Sequence, residues 1–225
     1  MQSDFPSLEP TEDGCGDDVC GLKYVSHQHR FIYFEVPKTG TSSLLMFLRN
    51  LATIEQMQGQ YDFLNYPDYR RFAFVRNPWD RILSCYLNKI KQDRNFQSRH
   101  FANGVMKKFH RFNVFYAGMP FREFMQAVAK IPNRVADGHF ASQYTRLFQD
   151  DRLVITHLAR FENYRAEVEL FLNKVEIKTD LEFPHLNQTL RDKTYAEYYD
   201  AETIRLVEAR YSEDIRRFDY RFNSE

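Results

Sequence analysis

FIYFEVPKTGTSSLLMFLRNL, residues 31–51, decides the fold. Its opening run, Phe31-Ile32-Tyr33-Phe34, is apolar and aromatic and reads as a buried strand, set at about residues 30–36. Its second half places Leu44, Leu45, Leu48 and Leu51 on one face at helical spacing, which predicts a helix over 41–51. Between the two lies Pro37-Lys38-Thr39-Gly40-Thr41-Ser42-Ser43, a cationic loop rich in hydroxyls, whose Ser and Thr residues can cap the helix.

The pattern recurs. Phe72-Ala73-Phe74-Val75 reads as a strand over 71–75 and runs into Arg76-Asn77-Pro78-Trp79-Asp80-Arg81. Asn77-Pro78 breaks the strand, and proline suits the first turn of a helix beginning near Trp79. A polar connection over 55–69 leaves a crossover long enough for a right-handed parallel βαβ unit. In an open parallel α/β sheet, strand carboxyl ends share a crevice, and helix N-termini there bind phosphate. Two such loops suit a ligand with two separated anionic groups.

Further along, 121–130 reads as a helix ended by Pro132, 153–155 as a third strand, and 164–174 as a helix through Val168, Phe171 and Leu172. The longest helix is expected at 201–218, with Ile204, Val207, Tyr211, Ile215 and Phe218 on one stripe. The sum is a small α/β sandwich with few strands and many helices.

At 225 residues the chain has room for one domain, read as 25–225 behind a leader over 1–24. The leader holds several acids, glycines and prolines, with neither the basic n-region nor the apolar h-region of a signal peptide. Mean hydropathy is −0.60 and no apolar run of about 18 residues occurs, so no membrane span is expected. Cys15 and Cys20 could pair, but an odd count of three with Cys85 inside a predicted helix does not make a disulfide framework, and a cytoplasmic location is the simpler expectation. No Cys/His cluster has zinc spacing, so no metal is expected.

The 31 basic and 31 acidic residues cancel, yet they are unevenly placed. From Arg94 to Arg122 there is no acid, while Arg94, Arg99, Lys107, Lys108, Arg111 and Arg122 interleave with Phe96, Phe101, Phe109, Phe112, Phe115 and Tyr116. Such a patch attracts polyanions and can stack on bases or sugar faces; the alternative is a solvated surface with its phenylalanines in the core.

PKTGTSSL resembles the 5′-phosphosulfate loop of the sulfotransferases, which use 3′-phosphoadenosine 5′-phosphosulfate (PAPS), and VRNPWDRILSCY resembles their 3′-phosphate segment. DGHFASQ (137–143), RFENY (160–164), PHLNQTL (184–190) and VEARYSEDIRRFDYRF (207–222) are similar to the carbohydrate-type branch, sulfotransferase family 2. The resemblance spans roughly residues 31–222. It implies a P-loop-like three-layer α/β/α sandwich with a small central parallel sheet, and sulfuryl transfer from PAPS to an acceptor hydroxyl of a saccharide or glycan by in-line displacement, with no metal and no nucleic-acid partner. The Gly-Thr-Ser form of the loop and the short chain look more like a bacterial member; a chain trimmed from a larger protein would place it in the Golgi lumen instead.

A Walker-type loop is the rival for PKTGTSS, and it fails on spacing, because Lys38 precedes the loop's lone glycine. Under the sulfotransferase reading Lys38 meets the bridging oxygen and 5′-phosphate, where charge develops as the S–O bond breaks. Gly40 admits close approach of backbone N–H groups, and Thr39, Thr41, Ser42 and Ser43 add hydroxyl donors. Arg76 offers a fork to the 3′-phosphate. The resemblance adds Ser84 as a second 3′-phosphate contact and Arg191, with Lys193, as a lid over the nucleotide. For the general base that takes the acceptor proton, His139 is chosen, with Glu55 as rival, His27 and His29 as further candidates, and a capping or core role for His139 left open. Gln143 could orient acceptor or nucleotide, and Trp79 could flank adenine or lie in the core. Asp80 and Arg81 read as structural. The functional alternatives are a nucleotide- or polyanion-binding module without turnover, a sulfotransferase acting on a small molecule or tyrosine, and a metal-dependent kinase.

Overall fold

Strands β1 (Lys23–Ser26) and β2 (Phe31–Phe34) form a hairpin, and β2 is followed by helix α1 (Thr41–Leu51), a two-residue strand β3 (Glu55–Gln56), and strand β4 (Arg70–Val75) leading into helix α2 (Pro78–Lys89). The computed structural model describes residues 21–57, 59, 61–181 and 193–223. After α2 come a small hairpin of β5 (Phe101–Ala102) and β6 (Val105–Met106), helix α3 (Phe121–Lys130), a single turn α4 (Tyr144–Leu147), and a second small hairpin of β7 (Phe148–Gln149) and β8 (Arg152–Leu153). Strand β9 (His157–Arg160) then enters the main sheet, followed by helices α5 (Tyr164–Lys174), α6 (Ala201–Arg210) and α7 (Ser212–Phe218).

The main sheet has the order β3-β1-β2-β4-β9. Strand β4 runs parallel to both β2 and β9, but β1 is antiparallel to β2 and β3, so the sheet is mixed where a parallel one was expected. The reason is local: the turn over 27–30, with Arg30 in the left-handed region at φ 50°, lets β1 fold back as a hairpin. Lys23 and Tyr24, read from sequence as leader, thereby belong to the sheet.

Alternation along the strands sorts the core into two faces. Phe31, Tyr33, Phe72 and Phe74 pack with Leu44, Leu45, Phe47 and Leu48 of α1 and with Val168, Phe171 and Leu172 of α5. Ile32, Phe34, Ala73 and Val75 face the opposite way, against Trp79, Ile82 and Leu83 of α2, Phe124 and Val128 of α3, Val207 of α6 and Phe218 of α7. Helices therefore cover both faces, which explains why β2 is apolar at every position and not at alternate ones. Phe72 stacks on Phe171 with ring centroids 4.1 Å apart. Truncating it to alanine would cost about 3–5 kcal/mol.

Two expected elements fall elsewhere. Residues 153–155 do not form the third strand of the sheet: Leu153 is exposed in the β7–β8 hairpin, and the pairing partner of β4 is His157–Arg160. The short apolar run carried a strand signal without a place in the sheet. The helix over 201–218 is two helices, because Tyr211 leaves helical geometry at φ −117° and ψ 26° and turns α7 away from α6. Pro37 to Gly40 and Arg76 to Pro78 follow the carboxyl ends of the adjacent parallel strands β2 and β4, so both loops open on one edge of the sheet.

Candidate active site at the strand ends

The loop after β2 is held in a demanding conformation. Lys38 and Gly40 both take the left-handed region, at φ 76° and φ 79°. A side chain on Gly40 would meet Tyr164 Cζ at 2.6 Å, and the Tyr164 hydroxyl donates to the Gly40 carbonyl at 2.7 Å, so glycine is required on both counts. For Lys38 the conformation is strained, a feature that persists only where the surroundings over-determine it. Thr39 Oγ1 donates to the Val36 carbonyl at 2.7 Å and Thr41 Oγ1 to the same oxygen at 3.2 Å, with the Tyr33 hydroxyl 2.9 Å from Thr41. These two hydroxyls therefore brace the loop from inside. Ser42 is exposed and Ser43 buried in the first turn of α1, where the helical ladder begins with Leu44 N–H donating to the Gly40 carbonyl. Amides at that end point outward, toward whatever occupies the loop.

Arg76, at the end of β4, joins the second loop to the first. Its Nη1 donates to the Lys38 carbonyl at 2.9 Å, its Nε and Nη2 donate to Asp80 Oδ2 at 2.9 and 2.7 Å, and its guanidinium lies 4.3 Å from the Phe161 ring centroid. Gln143 clamps the Arg76 backbone, accepting from its N–H at 2.9 Å and donating to its carbonyl at 2.8 Å. Gln143 N–H and Tyr144 N–H in turn donate to the buried Asp214 carboxylate, both at 2.8 Å. Gln143 thus fixes the arginine. Ser84 is buried on α2, one turn beyond Asp80 and on the same helix face.

Arg81 carries more than an ordinary salt bridge. Fully buried, it donates through Nε to the Pro37 carbonyl at 3.0 Å, through Nη1 to Ala141 at 2.9 Å and through Nη2 to Gly138 at 3.0 Å. One guanidinium therefore ties the Lys38 loop to the His139 loop. The sequence signal for this was present in the helical position of Arg81, but its three carbonyl acceptors come from segments far apart in the chain.

His139 Nδ1 lies 2.6 Å from Asp137 Oδ1, and the same oxygen accepts from His139 N–H at 2.9 Å. Burial tends to raise the Asp137 pKa, yet the hydrogen bonds from His139 outweigh it and hold the carboxyl at about 2. An ionised Asp137 favours the proton on Nδ1, which leaves Nε2 as the basic nitrogen. Burial lowers the His139 pKa below its ordinary value, with Lys89 and Lys38 adding to the effect against the pull of Asp137, so the ring is neutral near pH 7. Lys38 is lowered to about 8, chiefly by burial, with Cys85 opposing the shift and the cations Lys89, Arg76 and Arg81 adding to it. Lys89 is lowered mainly by burial as well. Lys38, Lys89, Arg76 and Arg81 make a concentration of positive charge that suits an anion.

Of the residues expected from sequence, Lys38, Gly40, the first turn of α1, Arg76 and His139 are brought to one region. Glu55 is not: it sits exposed on edge strand β3, opposite Val25, with β1 between it and β2. His27 lies at the far end of the β1–β2 hairpin, its Nδ1 3.0 Å from the Tyr69 hydroxyl, and His29 is in the same turn. Trp79 is core, with its ring 5.7 Å from Phe222 and 1% exposed. Arg191 lies outside the described residues, as do Cys15 and Cys20. Cys85 is a free, buried thiol whose pKa burial pushes up to about 12. Among the described residues no cluster of three His, Cys, Asp or Glu side chains could hold a metal ion, and no helix is long and apolar enough to cross a membrane. Sequence reasoning passed over Lys89 and gave no role to Asp137, the latter legible only as the residue two before His139.

With this geometry in place, comparison with known proteins defines the class. A model of the sulfotransferase family matches residues 23–221, and the chain belongs to that family. It is similar to human carbohydrate sulfotransferase 9, 23% identical over 190 residues that cover 72% of this chain and 42% of the relative. Human carbohydrate sulfotransferase 14 is 27% identical over 182 residues, covering 71% and 48%, and human carbohydrate sulfotransferase 10 is 21% identical over 266 aligned positions, covering 95% and 74%. The chain spans less than half the length of the first of these curated relatives. No solved structure matches.

Proposed function

We propose that the protein transfers a sulfuryl group from PAPS to a saccharide hydroxyl by in-line displacement, in a single domain of P-loop-like three-layer type running from the first strand of the sheet. The observation that carries the reading is the bond from Arg76 Nη1 to the Lys38 carbonyl, which makes one cradle of the two strand-end loops. A donor with phosphate groups at both ends of a nucleoside fits such a cradle. The names of the similar proteins supply the saccharide acceptor.

Lys38 Nζ and the amides at the start of α1 hold the 5′-phosphosulfate side, where negative charge grows on the leaving phosphate oxygen as the S–O bond breaks. Arg76 takes the 3′-phosphate with the second N–H of Nη1 and of Nη2, beyond those given to the Lys38 carbonyl and Asp80, and Ser84 adds a hydroxyl on the same helix face. His139 Nε2 accepts the proton of the attacking hydroxyl while Asp137 steadies the imidazolium that forms. The cations around Lys38 lower the cost of gathering two anionic groups, and positioning supplies much of the rest. Glu55, exposed on edge strand β3 with β1 between it and β2, is the weaker candidate for this role, and its place in the sheet supports His139 as the base.

The test is transfer of isotopically labelled sulfate from PAPS to a panel of saccharides, with tyrosine peptides and phenols as competing acceptor classes. Turnover on saccharides that falls by about 100-fold or more in both Lys38→Ala and Arg76→Ala supports the proposal. Unchanged turnover in both variants, or transfer confined to phenolic acceptors, overturns it.

A further inference from the structure

Two lysines near the strand-end loops are partly buried and yet make no bond: among the described residues, neither Lys38 Nζ nor Lys89 Nζ has a hydrogen-bond or ion-pair partner. Burial is the largest influence on both, and it disfavours their charged forms. Holding an ammonium away from water without a partner is costly, so two such groups in one region mark a place prepared for an anion. Lys38 already has an assigned partner in the leaving phosphate. Lys89 has none.

The fold ties Lys89 to the side of the site that carries the base. Arg81, Cys85 and Lys89 recur at every fourth residue of α2 and so lie along one side of the helix. Arg81 opens that side by binding the Pro37, Gly138 and Ala141 carbonyls of the two loops, and Cys85, one turn on, is fully buried. Lys89 stands a further turn along, roughly 12 Å from Arg81 along the helix axis. The bond from Ile90 N–H to the Tyr86 carbonyl, at 3.0 Å, keeps the helix closed to that point. Ile90 then bridges Val105, and Phe109, four residues further, lies 6.3 Å from the His139 ring. Electrostatics agree with this placement: Cys85 and Asp137 favour the Lys89 ammonium and Lys91 opposes it, while Lys89 itself lowers the pKa of both Lys38 and His139. Lys89 is therefore within electrostatic reach of both the donor cradle and the base.

We propose that Lys89 is a second catalytic cation, whose ammonium binds the outer oxygens of the sulfuryl group as that group crosses from donor to acceptor. The inference rests on the sulfotransferase reading and extends it to a residue that reading leaves unused. In the transfer, the bond between sulfur and the donor's phosphate oxygen breaks and its electron pair stays on that oxygen, beside Lys38. A lone pair of the acceptor oxygen forms the new S–O bond, and the hydroxyl proton passes to His139 Nε2. One negative charge, spread over the three outer sulfuryl oxygens, thus moves from the neighbourhood of Lys38 to that of His139. A cation that reaches both ends can stay with this charge throughout the step. Arg81 is fully buried with three carbonyls and Arg76 is paired with Asp80, whereas Lys89 is partly exposed and unbonded. The rival role is to balance the Asp137 carboxylate, but that group is already served by two hydrogen bonds from His139.

Calorimetry on the full chain tests this with the product nucleotide, adenosine 3′,5′-bisphosphate, and nitrate, a planar trigonal oxyanion with the shape of the sulfuryl group between its two oxygens. Nitrate should tighten binding of the nucleotide to the wild-type protein by about tenfold over chloride at the same ionic strength. In Lys89→Gln that enhancement should vanish while affinity for the nucleotide in chloride stays unmoved, and kcat for sulfate transfer should fall by about 100-fold. Lys89→Arg, which keeps the charge, should recover part of both effects. Thermal unfolding of Lys89→Gln should be no lower than that of the wild type, which separates the result from a folding defect. An enhancement that persists in Lys89→Gln, an unchanged kcat, or a shift confined to the acid limb of the pH profile, as expected of a mere partner to Asp137, overturns the inference. Nucleotide binding without any nitrate effect in the wild type defeats this inference alone, whereas a wild-type protein that does not bind the nucleotide defeats the sulfotransferase reading and this inference with it.

Discussion

Arg76 Nη1 donates to the Lys38 carbonyl oxygen across 2.9 Å, so the guanidinium expected to bind one end of a donor also fixes the backbone that presents the other. A planar fork can serve Asp80, a carbonyl and a phosphate together, whereas an ammonium cannot. Arg76→Lys should therefore raise KM for PAPS by about tenfold or more and also lower kcat, because Lys38 loses its tether. Steady-state kinetics with each substrate varied checks this, and a change in KM alone would show that the tether does not matter.

The pH profile should have two limbs of known origin. His139 acts as base only when neutral, and its pKa lies below the ordinary histidine value, so kcat/KM should rise as pH increases through a point below about 6.5. Lys38 acts only as ammonium, and its pKa is lowered to about 8, so the rate should fall as pH passes about 8. Lys38→Arg should abolish the alkaline limb at reduced rate. An alkaline limb that survives in that variant would assign it to another group.

Asp137→Asn should leave the shape of the loop in place and remove the charge that sets the His139 tautomer. We expect kcat to fall by about 100-fold or more, with KM for PAPS little changed. The Asp137 carboxyl, held at about 2 against 3.8, also contributes stability that is present above its unfolded value and is lost as pH falls through about 2. Acid titration followed by circular dichroism should accordingly show the variant losing less stability between pH 4 and pH 2, values that bracket about this pKa pair.

Lys38→Met should abolish transfer and yet stabilise the ligand-free protein. The wild-type ammonium is charged in both folded and unfolded chains below about pH 8, so its burial near other cations is a standing cost there, relieved only as pH rises from about 8 toward 10.5. Removing it should add about 1–3 kcal/mol at pH 7. Denaturant titration measures the difference, and a less stable variant would show that Lys38 is not strained in the absence of donor.

Gly40→Ala and Arg81→Met should both disrupt the cradle, by different routes. The first forces a side chain into Tyr164 at a left-handed backbone position, at a cost of about 1–3 kcal/mol. The second strands the carbonyls of Pro37, Gly138 and Ala141 and should cost about 3 kcal/mol or more. Product-nucleotide binding by calorimetry, compared with thermal unfolding, should show Gly40→Ala losing affinity beyond its loss of stability.

Much of this protein was legible in the chain before any fold was known. Buried strands at 31–34 and 72–75, and helices at 41–51, 121–130 and 164–174, follow from runs and periods that depend on near neighbours. The third strand was misplaced because Leu153-Val154-Ile155 carries a stronger local strand signal than His157-Leu158-Ala159-Arg160, and only pairing with β4 selects the latter. The hairpin partner β1 went unread because four residues at the edge of an acidic, glycine-containing stretch carry too little periodicity to register.

By itself the sequence determined the two strand-loop-helix units, the family to which they belong, and the types of residue at the strand ends, since each is a matter of short-range order along the backbone. Tertiary structure alone decided that Arg81 binds three distant carbonyls, that Gln143 clamps Arg76, that Glu55 lies two strands from β2, and that Phe109 packs beside His139. Hydrogen bonds and charge interactions act over a few ångströms in space regardless of separation along the chain, so partners 60 or more residues apart leave no local trace for a reader to find.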